Sequence, residues 1–522
     1  MKKCLALLLI AALCMSLCYF GVAEEKPTIT IGIKNQSQVQ DYETNLYTQH
    51  LEEVFNCNLD FVVYSDMDKK LSLEVISGDK LPDVICHKLD VNTTWKYVQA
   101  GAFRDLTAYY EDPEFNANLV AAQEIVPGYL DYVVMPDGHY YSIPFYQREI
   151  NSEIPNKVWL NFQWLEELGL EEPVTTEDFY NVLKAFKEAH PNCYPLTGHD
   201  SSTQGNIVLY IMNAFIYDDQ QDFLNYDENG QLTVSYIDDR WKQGLEFARR
   251  LVDEGLFDAT WITADRQSQL VPLLNEEECI VGGFLNQGNK LFNDLSDGAR
   301  WSWYKGIAPL TGPDGVSYAC YAQAYAQNMW FVTKDCPDEL VDLAVKIGIF
   351  MHDPTEEEFI INRYGEKGVD WLEPTSEKSV FWEMGFKARF IMVGDIWSVV
   401  QNKTWRKEAP VFVRETDQAQ QAPEDPEAYV GRIAQAAAKV YPHLPQEGEY
   451  VPVLLYNEEE TEQIGEIRSN LKSYVNECSN LFITREMSLE DDWDEFIATV
   501  YAMGLEEFLA VSQGVYNRMF VD

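Results

Sequence analysis

The alternation of apolar and polar positions near the start of the chain predicts three strands. The segment TITIGI (Thr28–Ile33) alternates with a period of two, and LDFVVY (Leu59–Tyr64) and DVIC (Asp83–Cys86) are short runs rich in β-branched residues. Two segments that suit helices lie between them, near Val39–Phe55 and Met67–Ile76. This order of strands and helices predicts a parallel sheet with right-handed crossovers, and therefore an α/β fold.

Polar residues follow the first and the third predicted strands. Asn35 and Gln36 come after the first, and His87 and Asp90 come after the third. In open α/β sheets, ligands sit beyond the carboxyl ends of the strands. We therefore expect these four side chains on one rim of a ligand cleft. The alternative for Asp90 is that it only caps the helix that begins near Val91.

Further along the chain, two segments have the apolar spacing of amphipathic helices. The segment TTEDFYNVLKAFKEAHP begins with a Thr cap and acidic residues and ends at Pro191. The segment WKQGLEFARRLVDEGLF has Gly255 as its end signal. The chain is irregular and aromatic after residue 351, with an exposed loop predicted at QQAPEDPEAY, and it is mostly helical again from about Thr461.

Two motifs approach a ligand-binding pattern without completing it. GFLNQGNK, from Gly283, has the glycine spacing of a phosphate-binding loop, but Asn289 stands where that motif needs Lys. NYDENGQLTVSY, from Asn225, imitates a calcium loop, yet Tyr236 occupies the position of the bidentate Glu. A hairpin turn over Glu228–Gln231 is the better interpretation. The sequence therefore predicts no nucleotide, no metal and no other cofactor.

The first residues have the pattern of an export signal. Two lysines precede an apolar run from about Leu5 to Phe20, and small residues up to Ala23 form a signal-peptidase site. We interpret residues 1–23 as a secretory signal peptide. An uncleaved anchor is the alternative, since the run is nearly long enough to span a bilayer. A lipid anchor is not supported because Leu precedes both Cys14 and Cys18. We expect a secreted, extracytoplasmic protein associated with the cell surface.

Composition and charge narrow the class of protein further. The chain has 85 acidic and 39 basic residues, and its net charge of −46 repels phosphate backbones and anionic lipids. Nucleic-acid binding is therefore excluded. A chain of 522 residues with 46% apolar residues normally forms more than one core, so two or more lobes are expected. The 30 Tyr and 13 Trp residues can stack on sugar rings as well as fill cores.

The cysteine and histidine residues indicate neither a disulfide framework nor a metal site. Three of the ten cysteines lie in the signal, and the other seven are an odd and scattered set. We therefore expect few or no disulfides. No cysteine pair has zinc-ligand spacing, and the seven histidines form no His-Glu-x-x-His motif.

Several motifs along the chain carry a resemblance to a known family. In order, they are SGDKLPDV, QAGAFRDLT, PDGHYYSIP, WLEELGLEEPVTTEDFYNVLKAFK, APLTGPDG and NRYGEKGVDW. They resemble the extracellular solute-binding proteins of bacterial ABC importers, and most of all family 1, whose ligands are often carbohydrates. The closing segment SLEDDWDEFIATVYAMGLEEF resembles the terminal helices of the family. The resemblance extends from about Ile29 to the C-terminus.

The resemblance implies a two-lobed, periplasmic-binding-protein-like fold of type II, with hinged lobes and a helical C-terminal section. Crossings between the lobes are expected near residues 145–150 and 322–330. The implied domains are a signal peptide (1–23), an N-terminal lobe (24–145 and about 325–390) and a C-terminal lobe (146–324 and about 391–522).

The chain departs from the family pattern in two places. Many relatives have Arg and Asp before the Trp-Leu pair, where this chain has Asn161 and Gln163. Many also carry an Asp-rich, calcium-like loop after the Lys-Ala-Phe-Lys helix, and HPNCYPLTGH replaces it here. The resemblance therefore does not extend to a calcium site.

By location in the family fold, the resemblance implies a ligand site with residues from both lobes and from the crossings between them. The alternative for Trp330 is a buried core position, and His87 and His199 can equally be ordinary hydrogen-bonded histidines. The expected ligand-binding residues are Asn35, Gln36, His87, Asp90, Tyr146, Arg148, His199, Asn286 and Trp330.

These observations predict an extracellular solute-binding protein without catalytic residues. It would capture a mono- or oligosaccharide between its lobes, as a monomer, and deliver it to an ABC importer permease. A secreted carbohydrate-active hydrolase is one alternative, but no carboxylate pair stands out and no Gly-x-Ser-x-Gly elbow occurs. A solute-sensing accessory protein is the other alternative.

Overall fold

A computed structural model describes residues 26–219, 221–393, 399–424 and 428–521. The predicted signal peptide and part of the predicted loop near residue 420 lie outside the described residues. The strands are β1 (Thr28–Lys34), β2 (Asn58–Tyr64), β3 (Val84–Leu89), β4 (Ile143–Gln147), β5 (Val158–Asn161), β6 (Leu224–Tyr226), β7 (Leu232–Val234), β8 (Gly283–Leu285), β9 (Tyr304–Gly306), β10 (Gln327–Val332), β11 (Trp371–Leu372), β12 (Ile391–Met392) and β13 (Phe412–Val413).

The described residues also contain many α-helices, and three of them form the C-terminal section. The α-helices are α1 (Leu46–Phe55), α2 (Met67–Ser77), α3 (Val91–Gln99), α4 (Thr107–Glu111), α5 (Ala117–Ile125), α6 (Ile150–Glu153), α7 (Phe162–Leu168), α8 (Thr176–Ala189), α9 (Ile207–Met212), α10 (Asp239–Asp253), α11 (Val271–Leu274), α12 (Asp338–Met351), α13 (Glu357–Tyr364), α14 (Tyr429–Val440), α15 (Glu458–Ile483), α16 (Trp493–Ala502) and α17 (Leu505–Phe520).

The larger sheet has six strands in the order β13-β4-β10-β3-β1-β2. Strand β1 is parallel to β2 and β3, and β4 is parallel to β13, whereas β10 runs antiparallel between β3 and β4. Ile29, Ile31 and Ile33 of β1 are fully buried, as the alternating pattern predicts. The three predicted strands and their parallel pairing are confirmed. This sheet and its helices form the first lobe.

Capping side chains set the helix boundaries. Helix α1 begins at Leu46 and not near Val39, because the Asn45 side chain caps it by accepting a hydrogen bond from the amide of Tyr47 at 3.1 Å. The predicted helix α8 is confirmed, with a capping box between Thr175 and Asp178.

The second lobe is built on a small antiparallel sheet with the order β8-β5-β9. Helices α8 to α10 and the C-terminal helices α15 to α17 pack in one continuous apolar core beside it. The predicted hairpin is confirmed: β6 pairs with β7, and the Asp227 carboxylate accepts hydrogen bonds from the amides of Asn229 and Gln231, both at 2.8 Å.

The chain between residues 399 and 413 belongs to the first lobe, which corrects the expected start of the second lobe near residue 391. Trp405 is fully buried in the first core, and its Nε1 donates to Thr48 Oγ1 at 2.9 Å. Strand β13 extends the larger sheet beside β4. An apolar segment that completes a sheet edge is more stable there than in a helical lobe. The other lobe boundaries stay a prediction.

Candidate functional site

A loop before β13 reaches the carboxyl edge of the larger sheet, where β1, β3 and β4 end. Lys407 Nζ donates to Gln147 Oε1 at 2.9 Å, and Gln36 Nε2 donates to Glu408 Oε1. Arg406 and Lys407 both have left-handed backbone conformations, with φ of 57° and 67°. Such conformations are uncommon for residues other than glycine and are retained where the surroundings impose them. The loop thus holds Lys407 and Glu408 at the ends of the strands.

Another lysine lies at the same edge. Lys88 Nζ is 3.3 Å from the centroid of the Phe145 ring, within the range of a cation–π contact. Desolvation, followed by the charge of Lys407, lowers the pKa of the Lys88 ammonium group to about 8. The edge therefore combines ammonium, amide and carboxylate groups, which can donate to and accept from the hydroxyl groups of a ligand.

The first crossing between the lobes contains a charged pair. Arg148 Nε donates to Glu153 Oε1 at 2.8 Å, and another guanidinium nitrogen donates to the hydroxyl group of Tyr441. The Glu153 side chain is 2% exposed, and its Oε2 has no hydrogen-bond partner in the described part of the chain. Burial raises the pKa of the Glu153 carboxyl, although Arg148 acts in the opposite direction. Arg148, whose side chain is 39% exposed, is the member of the pair that a ligand hydroxyl can reach.

Five half-buried tyrosines begin at this pair and extend from it, and Tyr441 contacts Arg148 directly. The rings of Tyr321 and Tyr450 meet edge to face with centroids 5.2 Å apart, and those of Tyr132 and Tyr325 are 5.6 Å apart. Burial, followed by the charge of Tyr450, raises the pKa of Tyr132 to about 12. We call Tyr132, Tyr321, Tyr325, Tyr441 and Tyr450 the tyrosine cluster. It joins residues of the first lobe, the crossings and the second lobe, and it can stack on sugar rings.

A groove of about 750 Å³ begins at Tyr132 and runs between the lobes. One wall is the first-lobe segment 127–136, and the other wall comes from residues 455–457 and 518–520 of the second lobe. Nearby, Asn92 Nδ2 donates to Thr461 Oγ1 at 2.9 Å across the two lobes. The groove continues the tyrosine cluster and has the volume of a small-molecule site.

Buried polar contacts lie at the start of β5 and the end of β8 in the second lobe. His199 Nε2 and Asn286 Oδ1 are 3.3 Å apart, and both residues are buried. Burial lowers the pKa of His199, so the ring is neutral. Lys157 is fully buried and donates to the carbonyl groups of Ile154 at 2.5 Å and Gln287 at 3.1 Å. Burial lowers its pKa to about 7.

Four of the nine expected site residues lie at the sheet edge, at the first crossing or in the second lobe. Gln36 is at the carboxyl edge, Arg148 is at the first crossing, and His199 and Asn286 contact each other in the second lobe. Asn35 is exposed beside Gln36, and its amide donates to the carbonyl group of Tyr64. Their roles in ligand binding stay a prediction.

The other four have structural partners, which for Trp330, Asp90 and His87 favour the alternatives left open by the sequence. Trp330 is fully buried in the first core and donates to the carbonyl group of Ala344 at 3.0 Å. Asp90 caps α3 by accepting from the amide of Thr93 at 2.9 Å. His87 is buried and lies 2.8 Å from Asp68, and Tyr146 is 5% exposed. The ring of Tyr146 stacks on that of Phe412 at 5.2 Å.

The sequence analysis missed Lys407, Glu408, Glu153 and the tyrosine cluster. Tyr321 and Tyr325 lie in the segment SYACYAQAYAQN before β10, and this repeated tyrosine pattern at a lobe crossing was a readable signal. Tyr132, Tyr441 and Tyr450 come from distant parts of the chain, and only the fold brings them together.

Three general features complete the description. Across the described ranges given above, no three His, Cys, Asp or Glu side chains are grouped so that they could hold a metal. The seven cysteines of these ranges are free. The described helices include none with both the length and the apolar character that a membrane span requires.

Comparisons with known proteins agree with this architecture. The chain is 22% identical to the fructooligosaccharide ABC transporter substrate-binding protein FusA of Streptococcus pneumoniae, over 96% of this chain and 91% of that protein. It is 28% identical to the lipoprotein LipO of Bacillus subtilis, over 48% of this chain and 49% of that protein.

Solved structures show the same two-lobed α/β fold. The structure of FusA in complex with kestose has a TM-score of 0.72 at 20% identity, covering 94% of this chain and 99% of that one. An extracellular solute-binding protein from Bifidobacterium longum subsp. infantis has a TM-score of 0.77 at 16% identity, covering 95% and 99%. The family described as "Bacterial extracellular solute-binding protein" matches residues 56–339, more than half of the chain. The chain therefore belongs to the bacterial extracellular solute-binding proteins.

Proposed function

We propose that this solute-binding protein captures a neutral oligosaccharide between its lobes, over the tyrosine cluster. The observation that carries this proposal is the group of five half-buried tyrosines that begins at the Arg148–Glu153 pair, where Tyr441 accepts from Arg148, and that includes two ring pairs. Tyrosine rings stack on the apolar faces of sugars, and the charged pair can exchange hydrogen bonds with their hydroxyl groups. The groove beyond Tyr132 gives room for further sugar units.

Similar proteins support a carbohydrate ligand. FusA is named for fructooligosaccharides, and a structure with a TM-score of 0.74 at 15% identity is titled as a solute-binding protein that binds HMO, from Bifidobacterium longum infantis. The net charge of −46 disfavours the approach of anionic solutes. A neutral oligosaccharide agrees with both observations.

Capture follows from closure of the lobes. A ligand that contacts the first-lobe edge at Gln36 and the second-lobe residue Tyr450 binds the closed state more tightly than the open state. Its binding therefore shifts the population toward closure by hinge motion at the crossings. We further propose that the closed protein acts outside the cytoplasm as a monomer, delivers its ligand to an ABC importer permease and carries out no catalysis.

A thermal-shift and calorimetric screen with kestose, maltotriose and triglycine tests the ligand class. A bound trisaccharide at about 100 times its dissociation constant should add roughly 2.7 kcal/mol of stability. Tyr321→Ala and Arg148→Ala should each weaken sugar binding at least about tenfold, which corresponds to about 1.4 kcal/mol. Tyr501→Ala is the matched control, since Tyr501 is 44% exposed on α16.

Three outcomes would contradict parts of the proposal. A shift with triglycine and with no sugar would overturn the carbohydrate class. Sugar binding that survives Tyr321→Ala and Arg148→Ala unchanged would place the ligand elsewhere. Chromatographic detection of shortened sugars after incubation would favour the hydrolase, and failure of a deletion strain to lose uptake of the bound sugar would favour a sensor.

A further inference from the structure

The second lobe contains an internal chamber that shares no lining residue with the tyrosine cluster or the groove. Its volume is about 160 Å³, and it lies between α9, the start of α10 and the C-terminal turns of α15. Its most buried lining side chains include Trp241 and Trp261, each 2% exposed. Asp200, Asn476 and Asn480 line its more exposed side. The chamber is thus closed by aromatic rings on one side and polar on the other.

Three buried polar atoms of this lining lack a hydrogen-bond partner among the residues that the structure describes. They are Nε1 of Trp241, Nε1 of Trp261 and Oγ of Ser479, and Ser479 is 5% exposed. An unpaired buried donor costs about 1–3 kcal/mol, so such groups are rare and need a bound molecule or another explanation. Three of them around one cavity indicate that its contents accept their hydrogen bonds.

The backbone beside the chamber is strained. Phe223 has φ of 58°, in the left-handed region that aromatic residues rarely adopt. Its ring packs edge-on against Trp241, with centroids 5.6 Å apart, and its carbonyl group accepts from the amide of Ser235 at 2.8 Å. Strained conformations of this kind concentrate at ligand sites. The strain is an independent observation in favour of a built site.

The polar groups of the lining determine which class of molecule the chamber can bind. The indole N–H groups can only donate, and they disfavour a cation. The carboxylates of Asp200 and Asp218 disfavour an anion. A hydroxyl group can accept from an indole and also donate to a carboxylate. The volume corresponds to about five water molecules at ~30 Å³ each, which is the size of a compound with few carbon atoms.

We propose that this chamber binds a small neutral polyol of glycerol or erythritol size, at a site distinct from the solute cleft. The polyol would accept from Trp241, Trp261 and Ser479 and donate to the carboxylates. Because the chamber is lined by α15 and by the start of α10, an occupant would join the C-terminal helices to the rest of the second lobe. This proposal does not depend on the identity of the solute between the lobes.

The test is titration of glycerol and erythritol into the full mature chain with ¹⁵N-labelled tryptophan, followed by the indole N–H resonances. Trp241→Phe and Trp261→Phe assign the two signals. Both signals should shift in a saturable way, and Ser479→Ala should weaken binding at least about threefold. The signals of Trp159 and Trp301, whose indoles donate to carbonyl groups, should not move and serve as internal controls.

Arg148→Ala separates this site from the solute cleft. If it abolishes the polyol shifts, the polyol binds between the lobes and the chamber proposal is wrong. Absence of saturable shifts up to 100 mM polyol would also overturn it and would leave water as the occupant. Shifts that persist in Arg148→Ala and weaken in Ser479→Ala support the chamber even if no oligosaccharide ever binds the cleft. Ser479→Ala removes one atom only, so the test stands if a tryptophan variant fails to fold.

Discussion

The two lobes hold their ligand-facing sides with different kinds of contact. At the first lobe and its crossing, three side-chain contacts involve charged groups. They join Glu408 to Gln36, Lys407 to Gln147, and Glu153 to Arg148. At the second lobe, the neutral His199 meets Asn286, and Trp159 Nε1 donates to the carbonyl group of Asn286 at 3.0 Å.

The two kinds of contact respond differently when a ligand binds. Charged contacts at a partly exposed surface are weakened by salt and can be exchanged for contacts with a ligand. Buried amide and indole contacts are lost only at a high cost, so they keep their geometry with and without ligand. We infer that the first-lobe side adapts to the ligand and that the second-lobe side is preformed.

The largest expected effect concerns the two buried tryptophans that support these sides. Trp405→Ala and Trp159→Ala should each destabilise the protein by about 3–5 kcal/mol, because both side chains are fully buried and hydrogen-bonded. Denaturant unfolding with tryptophan fluorescence measures this. If the lobes unfold separately, each variant should move one of two transitions.

Trp382→Ala is the matched control, since Trp382 is 38% exposed and should change stability by less than about 0.5 kcal/mol. Equal losses in the control and in the buried variants would contradict the burial described for both cores.

The second effect concerns the pair at the first crossing. Arg148→Ala should destabilise by about 3 kcal/mol, because it leaves the buried Glu153 carboxylate without its cation. Adding Glu153→Gln should recover most of this loss, since a neutral amide is less costly to bury. A double-mutant cycle by chemical denaturation measures the coupling. Additive losses would show that the pair is not coupled and that the charge contrast between the lobes is overstated.

The sequence predicted single elements in both lobes better than the lobe to which a segment belongs, because sequence signals are local. Alternation in TITIGI and the cap at Thr175 each fix an element within a few residues. The place of residues 399–413 was not predictable in this way. Trp405 is buried by Tyr42, Tyr47 and Phe61, which are more than 300 positions earlier in the chain. A short edge strand such as β13 has no periodicity to detect.

The candidate site was less predictable than the fold for the same reason. Gln36 and Arg148 were found because strand ends and crossings have sequence signals. Trp330 was chosen for its type and place, but the outward or inward direction of a strand side chain depends on which face is covered. Here α12 covers that face, and Trp330 donates to its Ala344 carbonyl group.

The third effect is a pH dependence that belongs to the second-lobe side. Burial lowers the pKa of Lys157 from 10.5 to about 7. Between these values the unfolded chain binds more protons than the folded protein, so the stability contributed by this group rises with pH. Below about pH 7 the cost of burying the charge is fully present. Lys157→Met should remove this rise.

Unfolding free energies of wild type and Lys157→Met from pH 6.5 to 9 measure the difference. The wild type should gain at most about 1.4 kcal/mol per pH unit relative to the variant. Taking the difference cancels the titration of tyrosines and cysteines common to both proteins. Parallel curves would mean that Lys157 stays protonated and that its two carbonyl partners compensate its burial.

The smallest effect distinguishes two neighbours at the first-lobe edge. Gln36→Ala removes the contact with Glu408, and one such hydrogen bond contributes about 1 kcal/mol. Asn35→Ala should change stability by less, because Asn35 is exposed and its amide contact to Tyr64 uses the backbone.

If the first-lobe side exchanges its contacts with a ligand, Gln36→Ala should weaken oligosaccharide binding severalfold in calorimetry, while Asn35→Ala leaves it unchanged. Equal affinities for both variants would show that the edge at Gln36 is outside the ligand contact, and the adaptable side of the cleft would then be limited to Arg148 and the tyrosine cluster.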